Sequence, residues 1–255
     1  MSRLRARCPE CGTLTAVAVD EGYECHACGR AFAAGLVRVP RAWGAGGEQM
    51  AEAAWTPLPY PEVAVVEAGT LGQQTDEIAA ALPVRPVVLG GCCCAHVGAI
   101  AGLARRGWRV AVVWLDAHGD LNTPETSPSG NEWGMPLRAA IEAGFVRADD
   151  VALVGARNLD PPEREYMTAV GIDDDVERAL AGSDALYVAF DADVLDPSQV
   201  ACFVPEPDGL SPAAAEAVLR DLAGRMPVAG VGLTGLVPGA GNEALLAGLL
   251  AAAGF

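Results

Sequence analysis

Seven short runs of apolar, largely β-branched residues alternate with Ala-rich amphipathic stretches, and this alternation restricts the fold more than any other feature of the chain. The runs are 36–39, 63–66, 84–89, 110–115, 151–154, 185–190 and 228–233. Helical periodicity fits 75–81, 95–106, 136–143, 161–170, 176–181, 212–225 and 242–253. Short buried runs separated by helices predict a parallel sheet with helices on both faces, a three-layer α/β/α architecture. At 255 residues and 51% hydrophobic composition, the chain can bury one full-sized core and carry a small appendage. In such sheets functional side chains gather at the carboxyl ends of strands. Three of the runs end in polar or Cys-rich sequence there: VVLGGCCC, VVWLDAHGD and YVAFDADVLDP.

The appendage is N-terminal. Cys8-Pro9-Glu10-Cys11-Gly12 and Cys25-His26-Ala27-Cys28-Gly29 are two C-x2-C knuckles, each followed by Gly where the chain must turn back around an ion. Cys8, Cys11, Cys25 and Cys28 therefore predict a structural Zn2+ ribbon over residues 1–34, closed by four thiolates, ahead of an α/β domain over 35–255. Two disulfides or a redox CxxC are the alternatives, and no thioredoxin-like βαβ context accompanies them. About 35 residues bury too little apolar surface alone, so the metal would stabilise the ribbon outright. Strands are expected at 13–19 and 23–25. Binding a protein partner, covering an edge of the main domain and mediating assembly all remain open to it.

Asp116, His118 and Asp120 stand at i, i+2 and i+4 after one strand, so an extended segment can aim all three one way. Asp191 and Asp193 repeat the spacing after another. Carboxylates gathered at one sheet edge repel each other unless a cation sits among them. Mixed Asp and His donors favour Mn, Fe, Co or Zn over calcium. Solvated loops with helix-capping Asp are the bland reading of either motif alone.

Acidic residues number 33 against 17 basic ones, and the basic ones are scattered, so nucleic acid is not expected as a partner. The N-terminus has no apolar leader segment and no run reaches the ~18 apolar residues that span a bilayer, so a cytoplasmic protein without membrane insertion is expected.

Asp116-Ala117-His118-Gly119-Asp120, with Asn122-Thr123-Pro124, Ser129-Gly130-Asn131 and Gly134-Met135-Pro136-Leu137, resembles the central signature of the arginase/agmatinase (ureohydrolase) family. Phe190-Asp191-Ala192-Asp193-Val194-Leu195-Asp196-Pro197 resembles its second signature, and Arg38-Val39-Pro40 with Gly44-Ala45-Gly46-Gly47 its opening strand and loop. The resemblance implies a three-layer α/β/α fold and two bridged Mn2+ ions, with a metal-activated hydroxide attacking a guanidinium or similar carbon. It also implies that Asp116 and Asp191 bridge the two ions, that His118 and Asp193 complete one position, and that Asp120 belongs to the other. Asp120 and His118 are the expected catalytic residues, Asp120 orienting the hydroxide. Asn122, Thr126, Ser129 and Asn131 match the loop that holds an amino-acid head group.

The chain departs from the family pattern at four places. Cys93 stands where the family has its first His ligand. A thiolate there would ligate and bias the position toward Zn2+ or Fe2+, leaving one ion or two unlike ions; a weak position, or small residues packing behind the site, are the alternatives. His96 is the only other imidazole nearby. Trp133 replaces a His proposed to shuttle protons, and an indole donates without titrating. Gly235 replaces a Glu that pairs with the guanidinium, and a buried guanidinium without that partner loses roughly 3 to 5 kcal/mol. Cys202-Phe203-Val204 replaces the usual Gly-Thr segment. The expectation is a metal-dependent hydrolase of a C–N bond (amidine, modified guanidine or amide) in a small amino-acid-like substrate, not plain arginine, with Trp133 walling the pocket. The alternative is a catalytically inactive arginase-like protein whose ribbon mediates protein interaction. A homo-oligomer fits either.

Overall fold

The computed structural model describes residues 5–255. Three strands near the N-terminus, β1 (Ala16–Val19), β2 (Gly22–Cys25) and β3 (Ala31–Phe32), form a small antiparallel sheet. β3 is two residues long, too short to leave a period in the sequence.

From Gly35 the chain alternates strand and helix. β4 (Gly35–Val39) leads to α1 (Glu48–Ala53), β5 (Glu62–Val65), α2 (Leu71–Ala81), β6 (Pro86–Gly90) and α3 (Cys94–Ala104). Next come β7 (Val110–Leu115), α4 (Pro136–Glu142), β8 (Val151–Val154), α5 (Pro161–Val170) and α6 (Val176–Leu180). β9 (Ala185–Asp191), α7 (Pro212–Arg225), β10 (Val228–Thr234) and α8 (Asn242–Ala252) complete it. All seven expected strands and all seven expected helices form. α2 begins four residues earlier than periodicity indicates, because the Thr70 hydroxyl accepts from Gln73 N and caps it there. α1 escapes sequence reading: it is six residues long and follows Gly47 with no side-chain cap.

The seven strands make one parallel sheet in the order β5-β4-β6-β10-β9-β7-β8. Strand residues divide by parity between two cores. Ala111, Val113, Leu115, Val188, Phe190 and Leu233 pack toward α7 and α8, whereas Val110, Val112, Trp114, Tyr187 and Ala189 pack toward the α3 side. Strand order matters most for function: β6, β10, β9 and β7 are neighbours, so their carboxyl ends bring Cys93, Gly235, Asp191 and Asp116 to one edge.

The N-terminal strands sit on the opposite flank. Arg7 and Glu62 exchange both backbone hydrogen bonds at 2.9 Å, so the chain extends the main sheet beyond β5. Tyr23 packs with Val63 and lies so close to Gly35 that a Cβ there would collide with it. An otherwise open edge strand is thereby covered. No helix among the described residues is long and apolar enough to cross a membrane.

Candidate metal centre

Asp116 follows β7, and its Oδ2 accepts the Trp114 indole N–H at 3.0 Å while Oδ1 accepts His118 N at 2.7 Å. Asp191 ends β9, and its Oδ1 accepts Asp193 N at 2.9 Å. These two local turns aim the carboxylates at each other across the neighbouring strands. His118 Nδ1 then lies 2.8 Å from Asp193 Oδ2, and Asp193 Oδ1 accepts Ala117 N at 2.9 Å. Arg157 donates to Asp193 O at 2.7 Å and to Glu206 O at 3.0 Å, tying the segment beyond β9 to the one beyond β8.

Asp120 is held differently. Its backbone is in the left-handed region, φ 54°, where a non-glycine residue is strained. Arg138 N donates to its carbonyl at 3.0 Å, and Leu121 N donates to Glu163 Oε1 at 3.0 Å, so α4 and α5 pin both sides of the turn. Glu163 also receives Asp160 N at 2.8 Å, closing a capping box on α5. The carboxylate so placed is buried, and its Oδ2 has no hydrogen-bond partner.

Of three consecutive cysteines, only Cys93 faces this cluster. Its Sγ lies 3.0 Å from Asp191 Oδ2, 3.1 Å from Thr234 Oγ1 and 3.8 Å from Asp116 Oδ2. Cys92 accepts Trp43 N at 3.4 Å and Cys94 reaches Glu132 O at 3.5 Å; both pack with Met50. His96 is turned behind the site, between Tyr187 OH at 3.0 Å and Thr234 Oγ1 at 3.1 Å. It supports Thr234 and does not reach the carboxylates itself, and burial lowers its pKa to about 3, keeping it neutral.

The electrostatics call for a cation. Burial, then repulsion from Asp116, pushes the carboxyls of Asp120 and Asp193 well above the usual range and that of Asp191 to about 6. Burial works against protonating His118, yet its hydrogen bonds to Asp116 and Asp193 lift it to about 12. Two ligand sets share Asp116: Asp116, His118 and Asp193 offer atoms within 4.8 Å of one another, and so do Cys93, Asp116 and Asp120. An orphaned carboxylate oxygen inside a crowded acidic cluster fits a divalent ion.

A cavity of about 250 Å³ opens onto the cluster. Asn122, Ser129 and Trp133 line it, as do Asn158, Asp160 and Glu163, which sequence reasoning missed. Asp160 and Glu163 carry one sequence signal, the helix-start pattern Asp160-Pro161-Pro162-Glu163, and Asn158 carries none. Thr126 and Asn131 do not line it. The Thr126 hydroxyl donates to Asn122 Oδ1 at 2.9 Å and accepts Thr123 N at 2.8 Å, and Asn131 Oδ1 accepts Ala45 N at 2.9 Å, so both serve the loop. Trp133 meets Phe203 edge to face, centroids 5.1 Å apart, at the apolar wall.

The model of the arginase family matches residues 50–253. The chain belongs to the arginase family. The arginase of Brevibacillus brevis is 36% identical over 141 residues, an alignment covering 44% of this chain and 47% of that relative. The chain thus spans about half the length of the curated relatives it matches. The solved arginase of Bacillus caldovelox superposes with a TM-score of 0.72 at 23% identity, over 86% of this chain and 97% of that one. The formimidoylglutamase of Bacillus subtilis gives 0.70 at 17%, over 86% and 85%. These superpositions show the arginase-like fold. Within it, Gly235 has φ 76°, and a Cβ there would drive into the Asp191 carboxylate, so any side chain at 235 would strain the backbone and displace Asp191.

Proposed function

We propose that this arginase-family chain is a metal-dependent hydrolase cleaving a C–N bond of an amidine, modified guanidine or amide in a small amino-acid-like substrate, and that plain arginine is not that substrate. One observation carries the reading: five ligand-type side chains from the carboxyl ends of neighbouring strands converge beside a cavity, with one buried carboxylate oxygen unpartnered. Asp116, His118 and Asp193 would hold one divalent ion and Cys93, Asp116 and Asp120 a second, with Asp191 a further ligand on the strength of the family resemblance, Mn2+ the first candidate and Zn2+ or Fe2+ the alternatives. When bound, such an ion lowers the pKa of water toward ~7 and supplies the hydroxide for attack.

The chain's own residues do the rest. Asp120, pinned by α4 and α5, orients the attacking oxygen, and His118, held by Asp193, keeps its ring in one plane. Trp133 and Phe203 exclude water from the apolar side of the cavity. The Asn122 amide is bonded to Asp160 and Thr126, so a substrate amine would meet Asp160 and a carboxylate the Ser127–Ser129 hydroxyls. The absence of an acidic side chain at Gly235 argues against a free guanidinium.

We assign the N-terminal cysteines to a structural Zn2+. Cys8 and Cys28 sulfurs lie 3.7 Å apart and those of Cys11 and Cys25 3.6 Å. Tetrahedral Zn–S bonds of about 2.3 Å set neighbouring sulfurs at about 3.8 Å, whereas a disulfide needs about 2.0 Å.

The test is to load the chain with Mn2+ or Zn2+, count ions per chain, and screen guanidino, hydroxyguanidino, amidino and amide amino acids for ammonia or urea release. Turnover on one of these, with arginine poor, is expected. Full metal content with no turnover on any would overturn the reading and leave a structural role for the ions.

A further inference from the structure

We infer that the Cys93 sulfur is a metal ligand, that it makes the Cys93–Asp116–Asp120 position selective for a thiophilic divalent ion such as zinc, and that Thr234 and His96 are positioning residues that hold it. The two ion positions are then chemically unlike, one thiolate and carboxylate, the other imidazole and carboxylate. The inference rests on the metal-binding half of the function proposed above and is independent of turnover.

Three observations carry it. First, the consecutive thiols are sorted: Cys92 and Cys94 lie in an apolar cluster with Met50, while Cys93 alone points at the oxygens of Asp191, Asp116 and Thr234. Cys93 also packs against the apolar core, but whereas Cys92 and Cys94 meet backbone groups, Trp43 N and Glu132 O, its sulfur meets two carboxylates. Second, the sulfur, an Asp116 oxygen and an Asp120 oxygen lie within 4.8 Å of one another, separations one ion can bridge, and Asp120 Oδ2 in the same cluster is buried without a partner. Third, the sulfur is held by a chain of hydrogen bonds. Tyr187 OH meets His96 Nδ1 at 3.0 Å, His96 Nε2 meets Thr234 Oγ1 at 3.1 Å, and Thr234 Oγ1 lies 3.1 Å from Cys93 Sγ and 3.2 Å from Asp191 Oδ2. Every member is buried. The Thr234 hydroxyl therefore lies against both a sulfur and a carboxylate, its one proton going to one of them, as groups behind metal ligands commonly do.

Soft sulfur donors select Zn2+ over Mn2+, while oxygen and imidazole accept either. The experiment uses the full chain. Co2+ replaces the bound ions as a spectroscopic probe, and the near-ultraviolet thiolate-to-cobalt absorption of wild type is compared with that of Cys93→Ser, a difference that cancels the four N-terminal cysteines. In parallel, metal-depleted chain is equilibrated with equimolar Zn2+ and Mn2+ and both ions are counted. We expect Cys93→Ser to lose one thiolate's share of the absorption and about one Zn2+ per chain, and Cys93→His to restore the ion count without that absorption. Thr234→Val should keep the band, shift its energy and weaken Zn2+ by about tenfold to a hundredfold. A Cys93→Ser chain with native circular dichroism, unchanged absorption and unchanged ion count would overturn the inference and make Cys93 a packing residue. Thiolate absorption without turnover would uphold it while the hydrolase reading falls; turnover of a Mn2+-loaded chain lacking that absorption would do the reverse.

Discussion

The two sides of the acidic cluster share Asp116 and one sheet edge, yet they differ in how their donors are satisfied. On the His118 side the donors satisfy one another: the imidazole bonds Asp193, and Asp193 takes the Ala117 amide with its other oxygen. On the Cys93 side a left-handed Asp120 keeps an oxygen with no partner, and a thiol faces three oxygens. The first side partly offsets its crowding through the hydrogen bond between His118 and Asp193; the second keeps an unpartnered oxygen that only a cation in the cluster would satisfy. Burial of the same residue types thus leads to different needs, decided by whether a neighbouring N–H is in reach.

That contrast can be broken from the residue both sides use. Asp116→Ala should empty both positions and take turnover to background, measured as ions per chain and ammonia or urea release; retention of either ion would show that the sides are independent. Next in size is Gly235→Ala, which must shift Asp191 and force a side chain onto φ 76°, costing about 1 to 3 kcal/mol in thermal unfolding and weakening both ions. Asp120→Asn sharpens the contrast by changing sign. Without metal it should raise stability, because it replaces a carboxylate that burial and repulsion from Asp116 and Asp191 disfavour with a neutral amide, while with metal it should lower it. The smallest effect belongs to Thr126→Val, which breaks a bond inside the loop and should cost about 0.5 to 1.5 kcal/mol with KM nearly unchanged.

The legible and illegible parts of the molecule divide by the range of the interaction that makes them. Every long strand and helix showed in its own period, and Asp116, His118 and Asp120 showed in their spacing, because these are properties of contiguous residues. Asp160 and Glu163 announced a helix start but not a place in the cavity, which depends on the β7–β8 neighbour relation. Thr234, His96 and Tyr187 come from β10, α3 and β9, and only the strand order stacks them behind Cys93. Thr126 and Asn131 matched a substrate loop by position, yet Thr126 bonds Asn122 within that loop and Asn131 bonds Ala45 of the loop after β4, contacts that residue type alone does not reveal.

A crystal of the metal-loaded chain, measured on both sides of the Zn and Mn absorption edges, tests the whole account at once. The account predicts three anomalous peaks: zinc among the four N-terminal cysteines, zinc against Cys93, Asp116 and Asp120, and a second ion, manganese where it is supplied, against His118 and Asp193. A peak among the N-terminal cysteines with no density between Asp116 and Asp191 would contradict it.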